Sequence, residues 1–198
     1  MTIRVTGGLG YIGALTVVEL LNNNFEVVII DDLSNTEKFI LKNIEEISGK
    51  KPIFYPFDLK RKELLKQVFD AHKIEGCIHF AAYKAVGESQ VKPIDYYENN
   101  LFSLINLLQE MKERNISNFI FSSSCTVYGQ ADKMPIDEET PLKLPESSYG
   151  KTKQMGEEIL KDFATAHQKK VTLLRYFNPI GAHPSAKLGE LPIGIPNN

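Results

Sequence analysis

Short apolar runs alternate with longer amphipathic stretches along most of the chain. Ile3–Thr6 is a brief strand-like run, followed by a glycine turn and by Tyr11–Leu21 with apolar residues at helical spacing. Val27–Ile30 is continuously apolar and ends in Asp31-Asp32. Ile53–Phe57, after Pro52, predicts another strand, and Glu63–Ala71 an amphipathic helix. Cys77–Ala82 has a buried-strand pattern, and Pro93 starts a helical stretch through Arg114. Phe119–Ser123, Tyr149–His167 and Val171–Tyr176 complete the series as strand, helix and strand. Apolar strands separated by helices predict an α/β fold, a parallel sheet buried on both faces in a three-layer sandwich. Right-handed crossovers make it doubly wound. Ligands of such sheets lie beyond the carboxyl ends of the strands, so each functional residue should fall just after a strand.

Two stretches break the alternation. Asp132–Ser148, with Pro135, Pro141 and Pro145, predicts a long excursion between strand and helix. From Asn178 onward the chain is rich in Gly and Pro and has no periodicity, as expected of a segment leaving the lobe. The expected division is therefore one domain over residues 1–177 and the beginning of a second lobe over 178–198. No repeat or low-complexity segment occurs.

Composition narrows the function classes. The 198 residues are 42% hydrophobic and 24% charged, with a formal net charge of −2 and both signs spread along the chain. That profile is globular and gives no reason to expect binding to nucleic acid or a membrane surface. No apolar run approaches the roughly 20 residues needed to span a bilayer. Cys77 and Cys125 have no metal-ligand spacing with His72, His79, His167 or His183, so buried reduced thiols, a cytoplasmic location and no metal are expected.

Thr6-Gly7-Gly8-Leu9-Gly10-Tyr11-Ile12-Gly13 sits between the first strand and the first helix. It fits Gly-x-Gly-x-x-Gly through Gly8, Gly10 and Gly13, and Gly-x-x-Gly-x-x-Gly through Gly7, Gly10 and Gly13. A pyrophosphate needs a tight turn, a bare backbone to approach and a helix N-terminus with unsatisfied N–H groups. Asp31 lies at the second strand's end, about 20 residues on, where a carboxylate accepts hydrogen bonds from ribose hydroxyls. A 2′-phosphate would be repelled there, and no arginine between Asp31 and Lys60 offsets it, so NAD is favoured over NADP. Asp32 reads equally as a solvated second acid. Later strand ends add Asp58-Leu59 for an adenine and Phe80-Ala81-Ala82 where backbone must pass close to a ligand. Lys84 is either a cofactor partner or an exposed loop cation. Together these features predict a Rossmann-type NAD-binding lobe.

Tyr149 and Lys153, four apart on a helix, share one face. A phenol of pKa about 10 is a poor base, and lowering it by about three pH units requires ~4 kcal/mol of phenolate stabilisation. A neighbouring ammonium and a positively charged nicotinamide would act in that direction. Ser122-Ser123-Ser124 follows the fifth strand and offers a hydroxyl to the same substrate oxygen. Spacing does not say which serine supplies it.

The blocks TGGLGYIG (6–13), KAVGES (84–89), FSSSCTVYG (121–129), YGKTK (149–153), LRYFNPIGAHP (174–184) and GIPNN (194–198) together resemble the extended short-chain dehydrogenase/reductase family. Within it, they are most similar to the UDP-hexose 4-epimerases. The resemblance implies NAD-dependent epimerisation at C4 of a UDP-sugar through a transient ketone. It implies Ser124 as the hydroxyl on the sugar O4, Tyr149 as the base, and Lys153 as the residue that tunes Tyr149 and binds the nicotinamide ribose. It places Tyr11, Ile12, Asp31, Asn35, Asp58, Leu59, Phe80, Lys84, Asn99, Ser122 and Phe177 against NAD. Lys84, Asn178 and Asn198 join Ser124 and Tyr149 on the substrate side. It also implies a homodimer through a four-helix bundle and a smaller C-terminal lobe beyond GIPNN. Ala14-Leu15 replaces the usual Ser-His, Tyr83 and Cys125 replace smaller residues, and Leu191 replaces an acid. Nucleotide-sugar 4,6-dehydratases carry Asp-Glu where this chain has Cys125-Thr126, which argues against that chemistry. A non-catalytic NAD-binding fragment is the remaining alternative.

Overall fold

The computed structural model describes residues 1–191. Six strands form one sheet in the order β3-β2-β1-β4-β5-β6, with every neighbouring pair parallel. They are β1 (Thr2–Thr6), β2 (Glu26–Ile30), β3 (Ile53–Tyr55), β4 (Gly76–His79), β5 (Asn118–Ser122) and β6 (Lys170–Leu174). The order reverses direction at the β1/β4 pair, which opens a crevice beyond the carboxyl ends of those two strands.

Alternation along each strand sorts its side chains between two cores. Val27, Ile29 and Ile78 face α1 (Tyr11–Asn22) and α2 (Phe39–Ser48), with Ala14, Val17, Val18, Leu21, Ile40 and Ile44. Val28, Ile30, Cys77, Phe119 and Phe121 face α3 (Lys62–Ala71) and the later helices α6 (Ser103–Glu113) and α7 (Ser148–His167). On α6 the buried positions Leu104, Leu107, Leu108 and Met111 form the i, i+3, i+4, i+7 stripe of a core-facing helix. Each such side chain contributes about 1.5–3 kcal/mol by leaving water. The predicted doubly wound sandwich is therefore the fold observed.

Several boundaries moved. The strand expected over Cys77–Ala82 ends at His79, which leaves Phe80, Ala81 and Ala82 as the loop at the sheet's edge. Likewise β3 stops at Tyr55 and β6 at Leu174. The expected helix over Pro93–Arg114 is α5 (Pro93–Tyr97), a π-helical turn over Glu98–Phe102, and α6. The sequence reading contained neither α2 nor α4 (Val86–Val91). Helix α2 carries a helical stripe, Ile40, Ile44 and Ile47, that was overlooked, and α4 has only six residues. Residues 178–191 form no helix or strand, yet stay on the lobe: Leu188 is buried with the α1/α2 core.

Candidate active site

The glycine loop resolves to the wider of its two frames. Gly7 has φ +65, and a Cβ there would meet the Ala81 nitrogen at 2.6 Å. A Cβ on Gly13 would meet the Gly7 carbonyl oxygen at 2.1 Å, so this glycine lets α1 pack against the turn. Gly10 differs. A Cβ there meets only the Gly7 oxygen, at 3.4 Å, and otherwise faces the crevice. Gly8 packs its bare backbone on Ile29 and does not line the crevice. Among the described residues no side chain caps the N-terminus of α1, which leaves its first N–H groups facing the cavity for an anion.

A cavity of about 640 Å³ runs from this loop along the carboxyl edge of the sheet. Gly7, Gly10, Tyr11, Ile12 and Gly13 form one side of it. Asp31 is buried, with its carboxylate oxygens accepting from the N–H groups of Leu9 and Leu33, both at 3.0 Å. Burial pushes its pKa up, and those two N–H groups oppose the rise. Asp32 also lines the cavity, but one of its oxygens caps the turn by accepting from Ser34 N–H and Oγ. Asn35, Asp58 and Leu59 follow along the same wall, and Asp58 is 3.5 Å from the Lys60 ammonium. Phe80, Ala81, Ala82 and Lys84 form the floor beyond β4, with Asn99 behind them. A bare glycine cradle at an uncapped helix end, a buried acid after β2 and small residues after β4 fit a dinucleotide.

At the far end of the cavity Ser122, Ser124, Tyr149, Lys153, Phe177 and Asn178 converge. The three serines divide their roles. The Ser122 carbonyl accepts from Lys153 Nζ at 2.7 Å. Ser123 Oγ donates to Glu157 Oε1. Ser124 Oγ accepts from the Thr126 N–H and hydroxyl, at 3.2 and 3.0 Å, and lies beside the Tyr149 phenol. Asn198 lies outside the described residues.

The electrostatics depart from the sequence expectation of a phenol lowered by its neighbouring ammonium. Burial dominates both groups. It pushes the Tyr149 phenol up, opposed by Ser124, and it pulls Lys153 down to about 7. Lys153 Nζ is 5.0 Å from the Phe121 ring centroid and 5.7 Å from that of Tyr149. Beneath it, His79 is held neutral, its pKa lowered to about 3 by burial and by the Lys153 charge. The His79 Nδ1 and Thr6 hydroxyl are hydrogen-bonded at 2.6 Å.

Two supporting groups escaped the sequence reading. Asn100, buried in the π-helical turn, accepts from the Tyr83 N–H and donates to both the Tyr83 carbonyl and the Thr152 hydroxyl. It thereby ties the loop carrying Lys84 to the helix carrying Tyr149 and Lys153. Its sequence trace is a polar residue on a buried helical stripe, four residues after Tyr96 and four before Leu104. Glu157, fully buried, takes two bonds from Arg175 at 3.0 and 2.8 Å and one from Ser123. Arg175 also donates to Tyr128 Oη. Cys125 N–H donates to the Tyr176 carbonyl, so both chain neighbours of Ser124 are tethered.

The fold and cleft define a Rossmann-type lobe of the dinucleotide-binding kind, with a serine, a tyrosine and a lysine together at one end of the cavity. Residues 3–192 match the model of the NAD dependent epimerase/dehydratase family, and the chain belongs to that family. It is 50% identical to the UDP-glucose 4-epimerase of Bacillus subtilis (strain 168), over all of this chain and 58% of that protein. The UDP-glucose 4-epimerase of Yersinia enterocolitica is 48% identical, with 59% of its length covered. The crystal structure of the Bifidobacterium longum UDP-glucose 4-epimerase, in complex with NAD+ and UDP, superposes with a TM-score of 0.98 at 46% identity. All of this chain and 59% of that one are covered. The chain thus spans about three-fifths of the length of these relatives. Among the described residues no helix is long and apolar enough to cross a membrane.

Proposed function

We propose that this chain is the NAD-binding lobe of an enzyme that inverts C4 of a UDP-hexose, interconverting UDP-glucose and UDP-galactose. The observation that carries the reading is the convergence of Ser124, Tyr149 and Lys153 at one end of the glycine-loop cleft. Bound there, NAD would supply the two-electron acceptor that takes the C4 hydrogen and returns it. Tyr149 Oη removes the proton from O4 as the C4 ketone forms, and gives it back when the opposite face is reduced. Ser124 Oγ donates a hydrogen bond to O4 and holds the sugar against the phenol. Lys153 supplies the positive charge that makes a phenolate accessible, and binds the nicotinamide ribose. Asp31 accepts from the adenosine ribose hydroxyls, and the N-terminus of α1 faces the phosphates. Cys125-Thr126 brings no carboxylate next to Ser124, so proton transfers at C5 and C6 have no agent at that place.

Nucleotide released on denaturing the purified chain, identified by mass, tests the reading. NAD is expected, and a chain that neither carries nor takes up the dinucleotide overturns it. Most UDP contacts are proposed to lie outside these 198 residues, so the chain alone should show little conversion of UDP-galactose to UDP-glucose. Robust turnover would contradict that division of labour.

A dimer is part of the same proposal. Phe102 on the π-helical turn, Ile105 on α6 and Met155 on α7 are 55%, 37% and 45% accessible. Beside them is an apolar hollow of about 190 Å³ lined by Ile105, Leu108, Ile159 and Phe163. Two such faces would close as a four-helix bundle. Sedimentation should give a dimer for the chain and a monomer for Ile105→Glu.

A further inference from the structure

After β6 the chain turns back across the cofactor side of the lobe, and its contacts there are specific. Tyr11 Oη donates to the Gly181 carbonyl at 2.6 Å. Asn43 Nδ2, on α2, donates to the Lys187 carbonyl at 2.8 Å, and Lys187 Nζ pairs with Glu46. Bonds from His183 N–H to the Leu188 carbonyl and from Ala186 N–H to the His183 carbonyl, both 2.8 Å, close the turn. Leu188 is 2% exposed, seated in the apolar core of α1 and α2. Two residues later Glu190 reaches the Lys84 ammonium at 2.8 Å. Lys84 belongs to the β4 half of the sheet and α2 to the β2 half, so this strap bridges the crevice where the strand order reverses. Leu188 and Glu190 line the same cavity as Gly10 and Asp31.

We propose that residues 181–191 are a clasp that retains the dinucleotide, with Leu188 as its anchor and the Glu190–Lys84 pair as its closure. The inference rests on the proposed NAD site. A dinucleotide lying along the sheet edge passes beneath the strap, and leaves only when Leu188 quits its core seat or the pair across the crevice opens. Retention suits a reaction that returns its cofactor unchanged in every cycle. The partly exposed pair contributes a small share and the buried leucine a large one.

The test measures release of NADH from the chain by fluorescence, chased with excess NAD⁺. Glu190→Gln should release it roughly two- to fivefold faster than the wild type. Leu188→Ala should release it at least about tenfold faster. Raised salt should speed wild-type release and leave Glu190→Gln nearly unchanged. Ile180→Ser, at a side chain 92% exposed, should release it at the wild-type rate. Unchanged release in a folded Glu190→Gln variant, or slower release, overturns the clasp; slower release would mean that Glu190 competes with the dinucleotide for Lys84. A wild-type chain that binds no NADH overturns the cofactor reading itself, which separates the two failures.

Discussion

Lys153 sits where a charge is expensive, and its replacement by methionine gives a signed, pH-dependent prediction. Its Nζ is buried against the Phe121 ring and the Ser122 carbonyl, while the acid one turn along α7, Glu157, is taken up by Arg175 and Ser123. Desolvation therefore lowers its pKa from 10.5 to about 7 in the folded chain. The sign follows directly. Below pH 7 the lysine is charged in both states, and the folded state carries the whole penalty. Between 7 and 10.5 the unfolded chain holds one more proton, so this group's contribution to stability rises with pH. At about 1.4 kcal/mol per pH unit, the full penalty is about 5 kcal/mol. Lys153→Met removes it. Relative to wild type, the variant should gain about 5 kcal/mol near pH 6 and only about 2 kcal/mol near pH 9. The chain has no tryptophan, so urea unfolding is best followed by far-ultraviolet circular dichroism. A wild-type–variant difference that does not change between those pH values would refute the reasoning. The stabilised variant should also bind NAD more weakly, because the charge that costs stability is the one proposed to hold the nicotinamide ribose.

Arg4, in the middle of β1, has no hydrogen-bond partner for any guanidinium nitrogen among the described residues; it lies against the Phe69 ring, and burial lowers its pKa to about 10. Arg4→Leu should therefore stabilise the chain by about 1–4 kcal/mol, raising Tm by roughly 2–4 °C per kcal/mol in a thermal melt. The glycines separate folding from binding: Gly13→Ala drives a methyl into the Gly7 carbonyl and should lower Tm. Gly10→Ala should keep Tm but weaken NAD binding roughly tenfold or more in calorimetric titration, an effect of about 1.4 kcal/mol. Arg175→Met strands the buried Glu157 carboxylate and should cost about 3–5 kcal/mol in urea unfolding near neutral pH.

The sheet, five of its helices in outline and the cofactor loop were legible because they follow strong periods and because strand ends in such folds are where ligands bind. The crevice brings together every proposed site residue that the structure describes, including Asn35 and Asn99, which resemblance rather than spacing supplied. What stayed hidden has physical reasons. Arg4 interrupts no pattern, since one polar residue in a four-residue run does not reverse a strand. Asn100 falls on the buried stripe between Tyr96 and Leu104, yet one amide in a helical run reads as a solvated position until Tyr83 and Thr152 are seen to meet it. Glu157 reads as a charge on an amphipathic helix until its partner Arg175, eighteen residues away in sequence, is seen to meet it in the interior. The burial that raises the Tyr149 phenol escaped notice for a similar reason, because a sequence lists charges but not how much water has been removed from around them.

A crystal structure of the chain with NAD bound tests the central claim most directly. The account predicts the adenosine ribose on Asp31, the pyrophosphate over Gly10, and Tyr149 Oη and Lys153 Nζ within roughly 3 Å of the nicotinamide ribose. A dinucleotide seated elsewhere, or a Tyr149 hydroxyl turned to bulk solvent away from the nicotinamide, would contradict it.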